Sequence, residues 1–259
     1  MKKLNATERQ TQIEELLSQR GVMKIMDLAN YFNVSRETIR RDLICLKHEG
    51  RIQKWFGGVI SAKENQAFNI QPLEEKKKLN FDIKMQICRK ALELIPPHSD
   101  IYLGDGSTVL CLAALLNQES GHTIITSSIE VATTCANSQN TIVLCGGVLK
   151  PLGMSTVGAP AVDFLKNLKT DIAFLGTSGF QLNDGPTGND FENCNVKKTA
   201  LENTQTSILL SDSSKSFYSS LITFADWEQI DYLVTDSQID QEVYNRIMEL
   251  TNIILAEAQ

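Results

Sequence analysis

The chain has 259 residues, of which 42% are hydrophobic and 22% charged, and a formal net charge of -6. These values are those of an ordinary globular protein and suggest neither an intrinsically disordered chain nor a coiled coil. The length suits two domains, one small and one with a sizeable core. No apolar run approaches the roughly 20 residues that cross a bilayer, and the Met1-Lys2-Lys3-Leu4 start has no long apolar signal core, so a cytoplasmic protein with no membrane partner is expected.

The six cysteines form no C-x-x-C pair, and several lie in apolar runs, where Cys acts as a small hydrophobe; neither zinc nor disulfides are expected. His48, His98 and His122 have no ligand spacing, so no metal is expected. Residues 1–60 carry 11 Lys+Arg against 7 Asp+Glu, and the remainder 14 against 24. A basic small domain on an acidic large one fits a protein that touches phosphates through one face only.

In chain order, residues 6–20 place Ile13, Leu16 and Leu17 at helical spacing and stop at Gly21, a natural helix terminator. Residues 22–25 read as extended, and Met26, Leu28, Ala29 and Phe32 mark a second short helix ending at Asn33. Ser35 is a good N-cap for a third helix, in which Ile39, Leu43 and Leu46 share a buried face and Arg36, Arg40 and Arg41 lie off it. Only Asn33 and Val34 separate the second helix from that cap, which forces a sharp turn: helix-turn-helix geometry with a basic recognition helix. Residues 51–56 are strand-like, Gly57-Gly58 permits a reversal, and Val59-Ile60 returns, predicting a two-stranded wing. The expected DNA contacts are Ser35, Arg36, Thr38, Arg40 and Arg41 from the helix, with Arg51 and Lys54 from the wing.

These residues closely resemble the DeoR family of bacterial transcriptional regulators. The likeness is carried by Glu8-Arg9-Gln10, Val34-Ser35, Thr38-Ile39-Arg40-Arg41-Asp42-Leu43, Leu46, Gly50 and Gly57-Gly58. The wing departs from the family's Arg-x-His-Gly-Gly-Ala, reading Lys54-Trp55-Phe56-Gly57-Gly58-Val59.

Residues 62–80 are polar, contain Pro72 and the charge run Glu74-Glu75-Lys76-Lys77-Lys78, and read as a linker leading into a solvated helix start. The expected division is a DNA-binding domain at 1–61, this linker, and a second domain at 81–259. Ile83, Ile87, Ala91, Leu92 and Ile95 define an amphipathic helix halted by Pro96-Pro97. Apolar runs at 101–103, 123–126, 141–145, 172–175, 207–210 and 232–235 then alternate with helix-length segments. That alternation predicts an α/β domain, a doubly wound and mainly parallel sheet with helices on both faces.

Small and polar residues follow each strand, and ligands of such sheets bind beyond the carboxyl ends of the strands. Gly104-Asp105-Gly106-Ser107-Thr108 opens a helix, so its amides and hydroxyls could hold a phosphate; a Ser/Thr-capped helix after a glycine turn reads the same residues equally well. The third glycine of a dinucleotide fingerprint is missing, so no nicotinamide cofactor is expected. Lys215, in Asp212-Ser213-Ser214-Lys215, is a candidate cation for phosphate or a surface lysine in a turn, and Lys197 carries the same choice.

The family likeness runs through this domain at Gly106-Ser107-Thr108, Thr126, Gly146-Gly147, Gly158, Asp171, Phe174, Gly179, Lys197, Asp212-Ser213-Ser214-Lys215 and Thr235-Asp236. It implies a sugar-phosphate effector domain resembling ribose-5-phosphate isomerase. The implied effector site comprises Gly104, Asp105, Gly106, Ser107, Thr108, Thr126, Ser127, Gly146, Gly147, Ser178, Gly179, Lys197 and Lys215. The family's Leu-Asp-x-Gly-Thr-Thr becomes Leu103-Gly104-Asp105-Gly106-Ser107-Thr108, which moves the acid by one position. Its Thr-Asn-Ser is Thr126-Ser127-Ser128, and its Glu four residues before the lysine is Asn193.

The expected function is a DNA-binding transcriptional regulator, a repressor of carbohydrate-metabolism genes, whose hold on a double-stranded operator changes when a phosphorylated sugar binds. A homo-oligomer, dimer or tetramer, is implied, because paired recognition helices read half-sites about one helical turn apart. The alternative is a sugar-phosphate isomerase with a basic appendage; it lacks a recognisable catalytic acid and base set, so no enzyme is expected.

Overall fold

A computed structural model of the chain describes residues 5–20, 23–55, 58–61, 73–181, 185–217 and 219–257, with backbone alone at 18–20, 53–55, 58, 60, 61 and 181. Two compact units, residues 1–67 and 68–259, divide it.

The first unit holds three helices and a hairpin. Helix α1 (Ala6–Arg20) starts on a reciprocal cap: Asn5 Oδ1 accepts from the Glu8 amide at 2.9 Å, and Glu8 Oε2 accepts from the Asn5 amide at 3.0 Å. Gly21 lies outside the described residues. Helix α2 (Ile25–Phe32) ends on Asn33 in the left-handed conformation, at φ 51°. Helix α3 (Arg36–His48) begins three residues later, with Ser35 Oγ accepting from the Thr38 amide at 3.1 Å. Strands β1 (Ile52–Trp55) and β2 (Gly58–Ser61) pair antiparallel from Ile52↔Ser61 to Trp55↔Gly58, and Met23 adds a bridge to Val59. Ile13, Leu16, Leu17, Leu28, Ile39, Leu43, Leu46, Ile52 and Val59 form one core under all of these elements. Met26, one of the residues that mark α2 in the sequence, is exposed, with its Sδ accepting from the Arg36 guanidinium at 3.0 Å.

The second unit opens with α4 (Leu73–Lys78) and α5 (Phe81–Leu92), so the stretch read as linker contains a helix. There follow β3 (Asp100–Leu103), α6 (Ser107–Leu116), β4 (Ser120–Thr126), α7 (Ile129–Cys135) and β5 (Gln139–Leu144). A hairpin, β6 (Val148–Lys150) and β7 (Ser155–Val157), leads to α8 (Ala159–Lys166) and β8 (Thr170–Gly176). Next come β9 (Gly179–Gln181), β10 (Gly185–Gly188), α9 (Phe191–Leu201), β11 (Thr204–Leu210) and β12 (Ile222–Thr223). The chain ends with β13 (Tyr232–Asp236), α10 (Gln241–Met248) and β14 (Asn252–Ala256).

Seven strands form one sheet in the order β14-β13-β11-β8-β3-β4-β5, every neighbouring pair parallel. All six strands read from the sequence are present; β14 adds a seventh at one edge. Alternate residues of each strand enter different cores. Ile101, Leu103, Ile172, Phe174, Ile208, Leu210 and Val234 pack with α5, α6 and α7, whereas Tyr102, Ala173, Leu175, Leu209 and Leu233 pack with α8, α9 and α10. Burial on both faces is why the strands read as continuous apolar runs rather than alternating ones. Five of the six cysteines are buried and all are free; burial pushes Cys135 up to about 11 and Cys145 up to about 12, so both stay as inert thiols. Among the described residues, no helix is long and apolar enough to cross a membrane.

Candidate functional site

In the first unit, α3 separates two chemistries. Its inner face carries Ile39, Leu43 and Leu46, and also the buried Asp42. Asp42 receives a forked ion pair from the buried Arg9 of α1, Nε to Oδ2 at 2.6 Å and Nη2 to Oδ1 at 3.1 Å, and a third bond from Gln10 Nε2 at 3.2 Å. That charged pair orients the recognition helix on α1. Outward, Arg40 and Arg41 are largely exposed and lie loosely beside Glu37 at 3.8 and 3.9 Å. Arg36 is exposed on the same helix, and the exposed Ile44 adds an apolar spot between the basic positions. Thr38 is half-buried and shares a 2.8 Å hydroxyl contact with Ser35, so both belong to the cap. Ser35→Ala is therefore expected to lower the stability of this unit by about 1 kcal/mol in urea unfolding.

The wing residues divide. Arg51, expected to reach phosphate, donates instead to Glu14 Oε2 at 2.9 Å and to Glu49 Oε2 at 3.0 Å, tying the base of the wing to α1. Its charge is already matched by two carboxylates, which raise its already high pKa. The side chain of Lys54, and Gly57 with it, lie outside the described residues.

In the second unit, strand ends of the sheet bring Asp105, Lys197 and Lys215 into one charged neighbourhood. Gly106, at φ 115°, turns the chain after β3 into α6, leaving Ser107 and Thr108 buried in the first turn. Lys197, buried on α9, stands 3.2 Å from Asp105 Oδ1, donates to the Gly176 carbonyl at 2.9 Å, and lies 5.2 Å from the centroid of the Phe224 ring. Asn193, one turn earlier, donates to Asp105 Oδ2 at 3.0 Å and to Ser155 Oγ at 3.4 Å. Two departures from the family pattern thus meet in space: the acid moved to 105 is received by an amide where the family has a carboxylate that would repel it. Burial alone would raise the Asp105 carboxyl, but the charge and hydrogen bond of Lys197, the charge of Lys76 and the Asn193 amide outweigh it and hold it below the usual value.

Lys215 sits in a 3-10 turn after β11, its amide donating to the Asp212 carbonyl at 3.0 Å. The buried Asp212 accepts from Asn80 Nδ2 at 3.2 Å and from the Ser214 amide at 3.2 Å, and Ser213 binds Asp236 through its amide at 2.7 Å and hydroxyl at 2.9 Å.

Two further lysines escaped the sequence reading. Lys84 is 4% exposed and donates to the Lys76 and Leu79 carbonyls, each at 2.6 Å. Lys76 is half-buried within electrostatic range of Asp105, Lys215, Lys197 and Lys84. The charge run is therefore not simply a solvated helix start. A signal for Lys84 was present, because Ile87, Cys88 and Ala91 follow it at the i+3, i+4 and i+7 spacing of a buried face.

The remaining expected residues serve local structure. Thr126 Oγ1 accepts from the Ser128 amide at 2.9 Å, and the Ser127 carbonyl accepts from the Thr156 amide at 2.8 Å. Gly146 and Gly147 are exposed after the edge strand β5, and a Cβ on Gly147 would strike the Val157 carbonyl, so close pairing of β6 with β7 accounts for that glycine. Gly179 opens β9 in a small sheet of order β12-β10-β9, and Ser178 just before it donates its amide to Thr187 O at 2.9 Å. Gly104 is buried at the end of β3, where a Cβ would press on Leu175 and the Phe174 carbonyl.

Residues 9–65 match the DeoR-like helix-turn-helix domain, and residues 57–237 match the DeoR C terminal sensor domain. The chain belongs to the DeoR family. It is 33% identical over 253 residues, 96% of each chain, to an uncharacterized HTH-type transcriptional regulator of Haemophilus influenzae. It is 28% identical to the regulator GolR of Listeria innocua, across 93% of this chain and 95% of that one. The glycerol-3-phosphate regulon repressor of Escherichia coli is also 28% identical, across 90% and 92%. Among solved structures, ribose 5-phosphate isomerase A of Methanocaldococcus jannaschii matches at a TM-score of 0.41 and 20% identity, over 53% of this chain and 55% of that one. Full-length SorC of Klebsiella pneumoniae matches at 0.44 and 12%, over 92% and 98%. The fold assignment rests on the sheet order and the family models.

Proposed function

We propose that this DeoR-family regulator is a cytoplasmic repressor of carbohydrate-metabolism genes that holds its operator as a homo-oligomer and changes that hold when a phosphorylated sugar binds the second unit. One observation carries the effector half. Four lysines, Lys76, Lys84, Lys197 and Lys215, share a part-buried region at the strand ends with two carboxylates, Asp105 and Asp212. The positive charge that remains in excess once the buried Asp236, bonded to Ser213, is counted as well suits a phosphomonoester dianion better than a neutral sugar. The glycerol-3-phosphate regulon repressor among the relatives accords with that reading. For DNA, Arg36, Arg40 and Arg41 are the outward contacts, seated by Ser35 and Thr38, while Arg51 acts as a strut for the wing. The ligand's leverage must come from favouring one arrangement of the paired units over another, since equal affinity for both shifts nothing.

The test is operator binding by the full chain, followed by fluorescence anisotropy, against a panel of pentose, hexose and triose phosphates and their unphosphorylated parents. A phosphorylated sugar should shift both operator affinity and thermal stability while its parent does neither; a panel with no active member would overturn the proposal. Isomerisation of any of these compounds by the purified chain would restore the enzyme alternative. Arg40→Ala should weaken specific operator binding by about 1–3 kcal/mol while leaving nonspecific binding nearly intact, if the guanidinium reads a base edge.

A further inference from the structure

The sensor unit begins with α4, the first helix after residues 62–72, and α4 is fastened to the region of Asp105 and Asp212 at several points. The Leu73 amide donates to the Leu152 carbonyl at 3.2 Å. Lys77 bridges to Glu130 of α7 at 2.9 Å. The buried Lys84 ammonium holds the Lys76 and Leu79 carbonyls at the end of α4, and Asn80, in the turn between α4 and α5, donates to Asp212. Lys76, Asn80 and Lys84 are thus spaced four residues apart along one stretch: Asn80 reaches the loop after β11, Lys76 shares the charged neighbourhood of Asp105, and Lys84 ties the end of α4 to α5.

Without an anion this docking has an electrostatic cost. Lys76 faces one attractive carboxylate, Asp105, and three like charges, Lys215, Lys197 and Lys84. Desolvation first, and then those three lysines, lower its hold on its proton, with Asp105 alone opposing. A bound phosphate reverses the balance: a dianion among Lys76, Lys197 and Lys215 turns what repelled Lys76 into part of a common cage.

Resting on the sugar-phosphate reading, we infer that Lys76 is a ligand-binding residue and that its contact with the phosphate fastens α4, so that occupancy of the site is transmitted through α4 to the chain leading to the DNA-binding unit. The sequence places this helix only a few residues beyond the boundary between the two units at Ala67 and Phe68. Any change in how firmly α4 is held is therefore passed to the connecting chain without a relay through the sheet.

The test uses the full chain with inorganic phosphate and with the phosphorylated sugar that gives the largest thermal shift. Hydrogen exchange is followed at residues 73–80 and, separately, at residues 104–110 and 193–200. The expected result is slower exchange in all three segments of the unaltered protein. In Lys76→Met, the affinity for the probe should fall about tenfold or more, and at a probe concentration that saturates the variant, protection should persist at 104–110 and 193–200 but vanish at 73–80. Lys76→Arg should restore both affinity and protection, which a merely structural role of the lysine stem in packing α4 would not require. Slowed exchange at 104–110 and 193–200 with none at 73–80 in the unaltered protein would overturn the role of α4 and leave the sugar-phosphate site standing. So would Lys76→Met binding the probe as tightly as the unaltered protein. No protection anywhere would overturn the site itself, and this inference with it.

Discussion

Asp42→Ala is expected to remove about 3–5 kcal/mol from the stability of the DNA-binding unit and to abolish operator binding, while the sensor unit unfolds as before. The reason is asymmetry. With both partners present, the forked bond between Arg9 and Asp42 satisfies two buried charges at 2.6 and 3.1 Å; with Asp42 removed, the buried Arg9 guanidinium has lost its main counter-charge. A core of this size yields only a few kcal/mol of net stability, so the loss is comparable to the whole. The two tryptophans of the chain, Trp55 and Trp227, fall one in each unit, and a Trp227→Phe background lets urea unfolding report on the first unit alone. Arg9→Met combined with Asp42→Leu should recover most of the stability, because replacing both partners removes the unpaired charge. A loss below about 1 kcal/mol in Asp42→Ala would mean that the pair is not buried in solution.

Asp42 also shows where the sequence was legible and where it was not. The cap at Ser35, the two-residue approach from α2 and the apolar spacing of α3 are local properties, and each appears where the residues put it. The six strands read as apolar runs were equally legible, the five inside the sheet because burial on both faces leaves such runs uninterrupted. Arg9 and Asp42 were visible as parts of the family likeness but not as partners, because they lie 33 residues apart and no local spacing connects them. Lys76 was hidden for the same reason: a lysine is read as solvent-facing unless its partners are known, and its charged neighbours Asp105, Lys197 and Lys215 lie far along the chain. Strands β6, β7, β9, β10 and β12 are two to four residues long, too short to show any period. Asp105 and Asn193 were each noted as departures, but only the fold shows that they answer one another.

Lys197→Ala is expected to leave operator binding intact and to abolish the response to the phosphorylated sugar, at a cost of about 3 kcal/mol to the sensor unit. Removing the ammonium takes a charge-assisted contact from the ligand, worth about 10- to 100-fold in affinity. It also leaves Asp105 buried with only the Asn193 amide and the charge of Lys76 to hold it, and that unpaired carboxylate accounts for the lost stability. The two effects separate in Lys197→Ala with Asp105→Asn, where stability should return and the response should not. Acid unfolding gives a third readout. In the unaltered protein the folded-state pKa of Asp105 lies below the unfolded value, so its pairing contributes stability above the ordinary carboxylate range, and the contribution is lost as pH falls through the lowered value. Without Lys197, burial becomes the dominant influence and pushes the carboxyl upward, so the rise in stability with pH near the carboxylate range should flatten or invert. A variant that keeps both the wild-type acid profile and the wild-type response would remove Lys197 from the site, and with it the reason for reading the strand ends as a phosphate receptor.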